Sequence, residues 1–381
     1  MFKLINAILL QYMPRFKRTK TWQRFVALLI GFMIRTSHSG VTATISDLRL
    51  KPTEYHNMLH FFRSEGYEVQ ELYNEWIRIA MKHGNAVRIG GRVLVNGDHV
   101  KIPKEGVRMP DIQILHQESQ NSGKGEFIEG HIYGHVGAVI TDGKASRSLP
   151  LRTELHKSPP KDKATNKAMG ETLVTQMVNM VGATAEAMGE PVVAALDAYF
   201  SKGSAIEAAD KFVGKDGEGM VCLVTKAKSN TAGYEKPVSP PAKKPGAPKK
   251  YGAKIKLGDL FSDMSGFVET KLVLYGKPAK VRYLLLDLMW KPVKKLVRFV
   301  LVDSHMGKMI LMSNRFDITG EEMITAYAYR YKIEPGFDDM KNTLGCFSYH
   351  RSMTAHPTPA KHENGLKDWD LSLHKAPQVI Y

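Results

Sequence analysis

The order of two hydrophobic periods constrains this chain most. From residue 91 the text alternates in the manner of strands: GRVLVNGDHVKIPKEG, HIYGHVGAVITDG and ASRSLPLRTEL are rich in β-branched residues and broken by glycine turns. They read as neighbouring, antiparallel strands. After them the period lengthens. NKAMGETLVTQMVNMVGATAEAMG, residues 166–189, reads as a helix; PVVAALDAYFSKG as a strand that turns after Asp197; SAIEAADKFV as a second helix; MVCLVTKAKSN as another strand. Strands followed by strand–helix alternation predict an α/β fold, a mixed sheet with helices packed against it. The polar stretch RMPDIQILHQESQNSGKGEFIEG between the early strands reads as a loop.

Two further regions flank this centre. Residues 1–83 are helical in pattern, with LINAILLQYM and TWQRFVALLIGFMI apolar on most of their surface. Such a unit suits either DNA reading by a helix-turn-helix or a scaffolding bundle. EKPVSPPAKKPGAPKKYGAKIKL, residues 235–257, holds five prolines and seven lysines. Prolines prevent ladder or helix continuity, so it reads as an exposed insertion. Its lysines fit a phosphate backbone or a solvated basic loop. Strands are expected again in KLVLYGKPAKVRYLLLDLMW and LVRFVLVDSHMGKMILMSN.

Charge narrows the partner. The 54 basic and 38 acidic residues leave a formal charge of +16. A surplus of that size points first to nucleic acid and second to an anionic membrane, although a basic protein with neither partner has the same composition. The longest early apolar run, FVALLIGFMI, is too short to span a bilayer. Two cysteines make no disulfide framework and no zinc cluster, and they fit a reducing compartment.

One stretch concentrates polar chemistry. DITGEEMITAYAYRYKIE opens with Thr319 and Glu322 at capping-box spacing, which predicts a helix start. Within YAYRYKIEPGFDDMK lie Tyr327, Arg330, Glu334 and Lys341. On an ideal helix these four fall within a sector of about 60°. Two basic groups beside a carboxylate suit a bound phosphate and a metal ion. Pro335 and Gly336 predict a kink, or a loop joining two helical pieces, after Glu334. One glutamate cannot hold a metal centre alone. Asp98 after VLVNG and Asp197 after VVAAL are acidic residues at the edge of apolar strands, where a divalent cation such as Mg²⁺ would offset their burial. Strand-end aspartates are more commonly caps or turn residues. Asp287 and Asp303 compete with them, and Asp338 and Asp339 lie close to Glu334. His99, next to Asp98, reads as an exposed residue or as one that orients a ligand or meets DNA.

Tyr327, Arg330, Glu334 and Lys341 resemble the Y-x2-R-x3-E-x6-K signature of one branch of bacterial insertion-sequence DDE transposases. LVNGDHVKIPKEG, PVVAALDAYFSKG and LMSNRFDITGEEMITAY resemble the segments that carry the first aspartate, the second aspartate and the lead-in to the glutamate. The resemblance implies an RNase H-like fold with a mainly β insertion between the second aspartate and the glutamate. It implies a helical DNA-binding or assembly domain over residues 1–88 and a catalytic domain over 89–350, interrupted at about 231–312. A weakly ordered tail over 351–381 is expected from its polar text. Asp98, Asp197 and Glu334 become the ligands of Mg²⁺, with Mn²⁺ as a substitute, and Tyr327, Arg330 and Lys341 handle DNA phosphates. The implied partners are double-stranded transposon ends and target DNA, bound by a homodimer in a bacterial cytoplasm, on the nucleoid and away from membranes. The implied reaction is hydrolysis at the transposon ends followed by transfer of the 3′-hydroxyl to target DNA. Pro335–Gly336 and the short stretch after Lys341 depart from the pattern. The alternatives are therefore a truncated DNA-binding remnant, or an RNase H-like nuclease without strand transfer.

Overall fold

The computed structural model describes residues 2–34, 40–104, 109–116, 126–160, 162, 169–237 and 249–347. The expected tail over 351–381 lies outside them, as do residues 238–248 of the lysine–proline stretch. In chain order the helices are α1 (Phe2–Tyr12), α2 (Thr19–Ile34), α3 (Val41–Asp47), α4 (Glu54–Phe61), α5 (Val69–His83), α6 (Leu173–Met188), α7 (Gly203–Ala209), α8 (Gly320–Ala328) and α9 (Ile333–Asp338). The strands are β1 (Arg88–Ile89), β2 (Arg92–Pro103), β3 (Gln113–His116), β4 (Phe127–Thr141), β5 (Ser146–His156), β6 (Val192–Leu196) and β7 (Val221–Lys226). Then come β8 (Ala232–Tyr234), β9 (Lys254–Lys256), β10 (Val268–Leu274), β11 (Lys277–Trp290), β12 (Lys295–Ser304) and β13 (Gly307–Ser313). Two compact units form. One comprises the chain to Ile79, Val100–Tyr133 and the chain from Phe337; the other comprises Ala80–His99 and Gly134–Gly336.

In the first unit α1 to α5 close around an aromatic core. Tyr12, Phe16, Phe25, Phe61 and Tyr67 are buried together, with Phe61 stacked on Tyr67 at 4.8 Å between ring centroids. A Cβ at Gly31 would lie 2.4 Å from the Thr44 methyl, so glycine is what lets α2 meet α3. Glu75 is buried but not uncompensated: Arg15 donates to it at 2.7 and 3.0 Å and Arg78 at 2.9 Å. Among the described residues no helix is long and apolar enough to cross a membrane. A smaller cluster of Val100, Ile102, Met340, Cys346 and Phe347 completes this unit's cores. The segment expected as a loop contains a strand. β3 pairs antiparallel with β4 from Gln113↔Gly130 to His116↔Phe127, an outcome of pairing partners that composition alone does not reveal.

The second unit is α/β, with sheet order β5-β4-β2-β6-β7-β13-β12-β11. β2, β6 and β7 are parallel, in register through Val93↔Val192 and Val192↔Val221. Alternate residues feed two different cores. Val93, Val95, Val192, Ala194, Leu196, Val221 and Leu223 pack with α6 and α7. Leu94, Val193, Ala195, Cys222 and Val224 pack with α8. Burial on both faces explains why VVAAL is apolar without interruption. Three early strands are followed by a helix and then by two strands parallel to the first, with helices on both faces. The mainly β insertion extends the sheet. β13 pairs antiparallel with β7 through Met312↔Thr225, and β12 and β11 follow. Asp287 lies on β11 beyond the β10 ladder, which ends at Tyr283; it is exposed, pairs with Arg298 on β12 and holds that guanidinium with two bonds of 2.8 Å.

Candidate metal centre

Asp98 is placed by β2. Gly97 before it has no room for a side chain, since a Cβ would lie 2.9 Å from Leu196 and 3.1 Å from the Met177 sulfur. β2 can therefore lie tight against β6 and α6 at the point where the carboxylate emerges. The His99 amide donates to the Asp98 carboxylate at 2.8 Å. Asp197 follows the parallel strand β6 directly. It caps the short 3₁₀ turn Ala198–Phe200, with its carboxylate accepting from the Ala198 amide at 2.5 Å, while Thr225 on β7 donates to its backbone carbonyl at 2.6 Å. The cap role expected of a strand-end aspartate is present, on a residue that also faces the other acids.

The third contribution comes from the helical segment. The capping box forms as its spacing predicts: the Thr319 hydroxyl accepts from the Glu322 amide at 3.2 Å, and the Glu322 carboxylate accepts from the Thr319 amide at 2.8 Å. The helix is not uniform thereafter. α8 ends at Ala328, Arg330–Lys332 form a 3₁₀ turn, α9 starts at Ile333, and Asp339–Thr343 form a π-helical turn. Pro335 therefore stands in the first turn of α9, where its missing N–H breaks no helical bond. Of the two expected outcomes, the structure has two helical pieces, and their junction precedes the proline. The single-helix sector fails over this length. Lys341 lies in the π-helical turn, in the first compact unit. Tyr327, Arg330 and Glu334 stay together through the 3₁₀ turn.

These five side chains of the second unit form one electrostatic cluster. Arg330 donates to Glu334 at 2.8 Å and stands 3.7 Å from Asp98. Burial is the main force that pushes the Asp98 carboxyl up to about 6. Asp197 and Glu334 add to it, and the His99 amide and Arg330 oppose it. Burial likewise pushes the Tyr327 phenol up to about 12, with Asp197 and Asp98 adding and Arg330 opposing. Burial works against the Arg330 guanidinium, yet Asp197, Tyr327, Glu334 and Asp98 together raise it above its ordinary value. Three of the four competing acids are used elsewhere. Asp287 holds Arg298, Asp303 accepts from Arg282 at 2.6 Å, and Asp338 accepts from Asn342 at 2.6 Å.

His156 and Asn96 escaped the sequence reading. His99 is not a free surface residue: its ring nitrogen bonds His156 at 2.9 Å and its ring stacks on Phe200 at 5.5 Å. The two histidines are 57 residues apart, and only the fold brings them together. Asn96, fully buried one step before Gly97, ties β2 to α9. With its amide oriented to satisfy both ends, it donates to Gly137 and Ser148 and accepts from the Ile333 amide at 3.3 Å. A buried asparagine in VLVNGD was a signal that could have been read from the sequence.

The donor chemistry fits a hard divalent cation. Two other carboxylates raise Asp98, the His99 amide and Arg330 oppose them, and Arg330 is the one cation among these five side chains, so the set is short of positive charge. Among the described residues no group of three or more histidine, cysteine, aspartate or glutamate side chains is placed so that it could hold a metal ion. Glu334 is turned to Arg330, with 62% of its side chain exposed.

The chain matches no protein-family model. No curated protein matches it in sequence. Among solved structures it is similar to the crystal structure of the NurA nuclease from Sulfolobus solfataricus. The identity is 11%, the match covers 75% of this chain and 88% of that one, and the TM-score is 0.29.

Proposed function

We propose that this chain is a metal-dependent enzyme acting on DNA phosphodiesters, and more narrowly a DDE transposase of the insertion-sequence type. The observation that carries the reading is the Asp98–Asp197–Glu334–Arg330 cluster, drawn from the middle of β2, the residue after β6, the 3₁₀ turn Arg330–Lys332 and the first turn of α9. Asp98, Asp197 and Glu334 would hold Mg²⁺ or Mn²⁺, which supplies an activated water and charge for the leaving oxygen. Asp98 is oriented for this by the His99 amide and Asp197 by the Ala198 amide. When Glu334 turns from Arg330, the freed guanidinium can grip the nonbridging phosphate oxygens in a fork. The buried Tyr327 hydroxyl stays protonated at neutral pH and donates to a phosphate oxygen. In the first step water forms a new P–O bond and the P–O3′ bond breaks, leaving a 3′-hydroxyl and a 5′-phosphate. In the second step that hydroxyl displaces a 3′-oxygen of target DNA by the same in-line exchange. Double-stranded DNA is the partner that suits the +16 charge.

The test is incubation of end-containing plasmid with Mg²⁺, comparing the protein with its Asp197→Asn variant. Nicked and joined products from the parent alone support the full reading. Nicking without joining reduces it to a nuclease. Binding without nicking by the folded parent overturns the enzymatic account and leaves a DNA-binding remnant.

A further inference from the structure

The carboxyl ends of β6 and β7 lie side by side, with Leu196 opposite Thr225. β6 runs into Asp197; β7 ends at Lys226 and leads through Ala227 to Lys228. After Asp197 the chain makes its 3₁₀ turn and reaches Lys202. Within that turn Phe200 is buried in the core while its neighbour Tyr199 is 42% exposed. The Lys202 ammonium sits 4.2 Å from the centre of the Tyr199 ring. On its other contacts Tyr199 meets the His99 ring edge-on at 6.2 Å, and His99 is the residue after Asp98. The Tyr199–Lys202 pair thus adjoins both aspartates.

Two like charges meet here. The Lys202 ammonium is drawn below its ordinary value, first by burial and then by repulsion from Lys228. Among the described residues neither lysine forms an ion pair. A lysine that is merely solvated extends away from its neighbours. Lys202 instead is held on an aromatic face, in the turn that follows Asp197, and Lys228 follows the neighbouring strand. Cation–aromatic contact fixes the direction of an otherwise mobile side chain at modest cost. Open α/β sheets bind ligands just beyond the carboxyl ends of their strands.

We infer that Lys202 and Lys228 form a phosphate clamp for the DNA strand entering the carboxylate cluster, with Tyr199 as the platform that aims Lys202. The clamp rests on the proposed DNA-processing function for the identity of its ligand. It grips phosphates that flank the reacting one, and so contributes to binding and positioning of the strand. It would keep DNA backbone near three carboxylates that otherwise repel it.

The test uses the full chain and a fluorescent 30-base-pair duplex without divalent metal. Affinity is measured across a series of NaCl concentrations. Losing two phosphate contacts lowers the slope of log affinity against log salt by about 1.8. The Lys202→Gln/Lys228→Gln variant is expected to show that drop. Tyr199→Phe, which keeps the ring, is expected to retain the parent slope, and Tyr199→Ala to lose part of it. In cleavage assays the double variant is expected to raise KM with little change in kcat. An unchanged salt slope in the folded double variant overturns the clamp. A lowered slope in a protein that never cleaves DNA keeps the clamp and refutes the cleavage reading, so the two fail separately.

Discussion

Replacing Asp98 by asparagine should make the metal-free protein more stable at neutral pH. The native carboxyl titrates at about 6, against 3.8 for the ordinary group. That displacement costs the folded state about 3 kcal/mol once the group is ionised. The sign follows from the direction. Below 3.8 both folded and unfolded chains carry the proton, and nothing is lost. Between 3.8 and about 6 only the unfolded chain ionises, so stability falls as pH rises; above about 6 the whole cost is present. Asparagine removes the cost and keeps an oxygen for the His99 amide, which now donates to Asp98 at 2.8 Å. The 3.7 Å contact with Arg330 is already included in that displacement, because Arg330 opposes the rise. The expected gain is therefore about 3 kcal/mol at pH 8, shrinking by roughly half at pH 5 and vanishing below pH 4. Urea denaturation of both proteins at pH 8 and pH 5 reads this out. Excess Mg²⁺ should narrow the difference at pH 8, because only the parent keeps all three acids. A variant less stable than the parent at pH 8, or a gain equal at both pH values, would refute the claim that Asp98 is held against its own charge.

Other substitutions separate chemistry from scaffold. Glu334→Gln should leave DNA affinity near that of the parent and abolish Mg²⁺-dependent cleavage, measured as nicked plasmid; its amide still accepts from Arg330 but is a poor metal ligand. Gly97→Ala introduces a methyl group 2.9 Å from Leu196 and should cost about 1–3 kcal/mol in denaturant unfolding. It should also lower cleavage by more than its stability loss explains if β2 yields with Asp98 rather than the Leu196 and Met177 side-chain ends alone.

Several parts of the fold were legible from residue order alone. VVAAL is a buried strand because it feeds two cores at once, and a continuous apolar run is what that requires. Thr319 and Glu322 make a capping box because both partners lie within one turn. Legibility declined where structure depends on distant partners. β3 is held by its pairing to β4, and the strand-forming text QILH lies inside a polar stretch. His99 reads as an exposed residue or as one that orients a ligand until His156 is placed beside it. The helical sector around Tyr327 assumed one rotation per residue, which the 3₁₀ and π turns break; Arg330 and Glu334 still meet because they remain one turn apart. Tyr199 and Lys202 stayed hidden for another reason: neighbouring letters do not show that Phe200 points inward while Tyr199 turns out.

The central claim concerns three acids around a cation, and anomalous diffraction from crystals soaked in Mn²⁺ tests it most directly. The account predicts a manganese peak bounded by carboxylate oxygens of Asp98, Asp197 and Glu334, with Glu334 released from Arg330. Saturating Mn²⁺ that leaves this position empty, with Glu334 still bonded to Arg330, would contradict it.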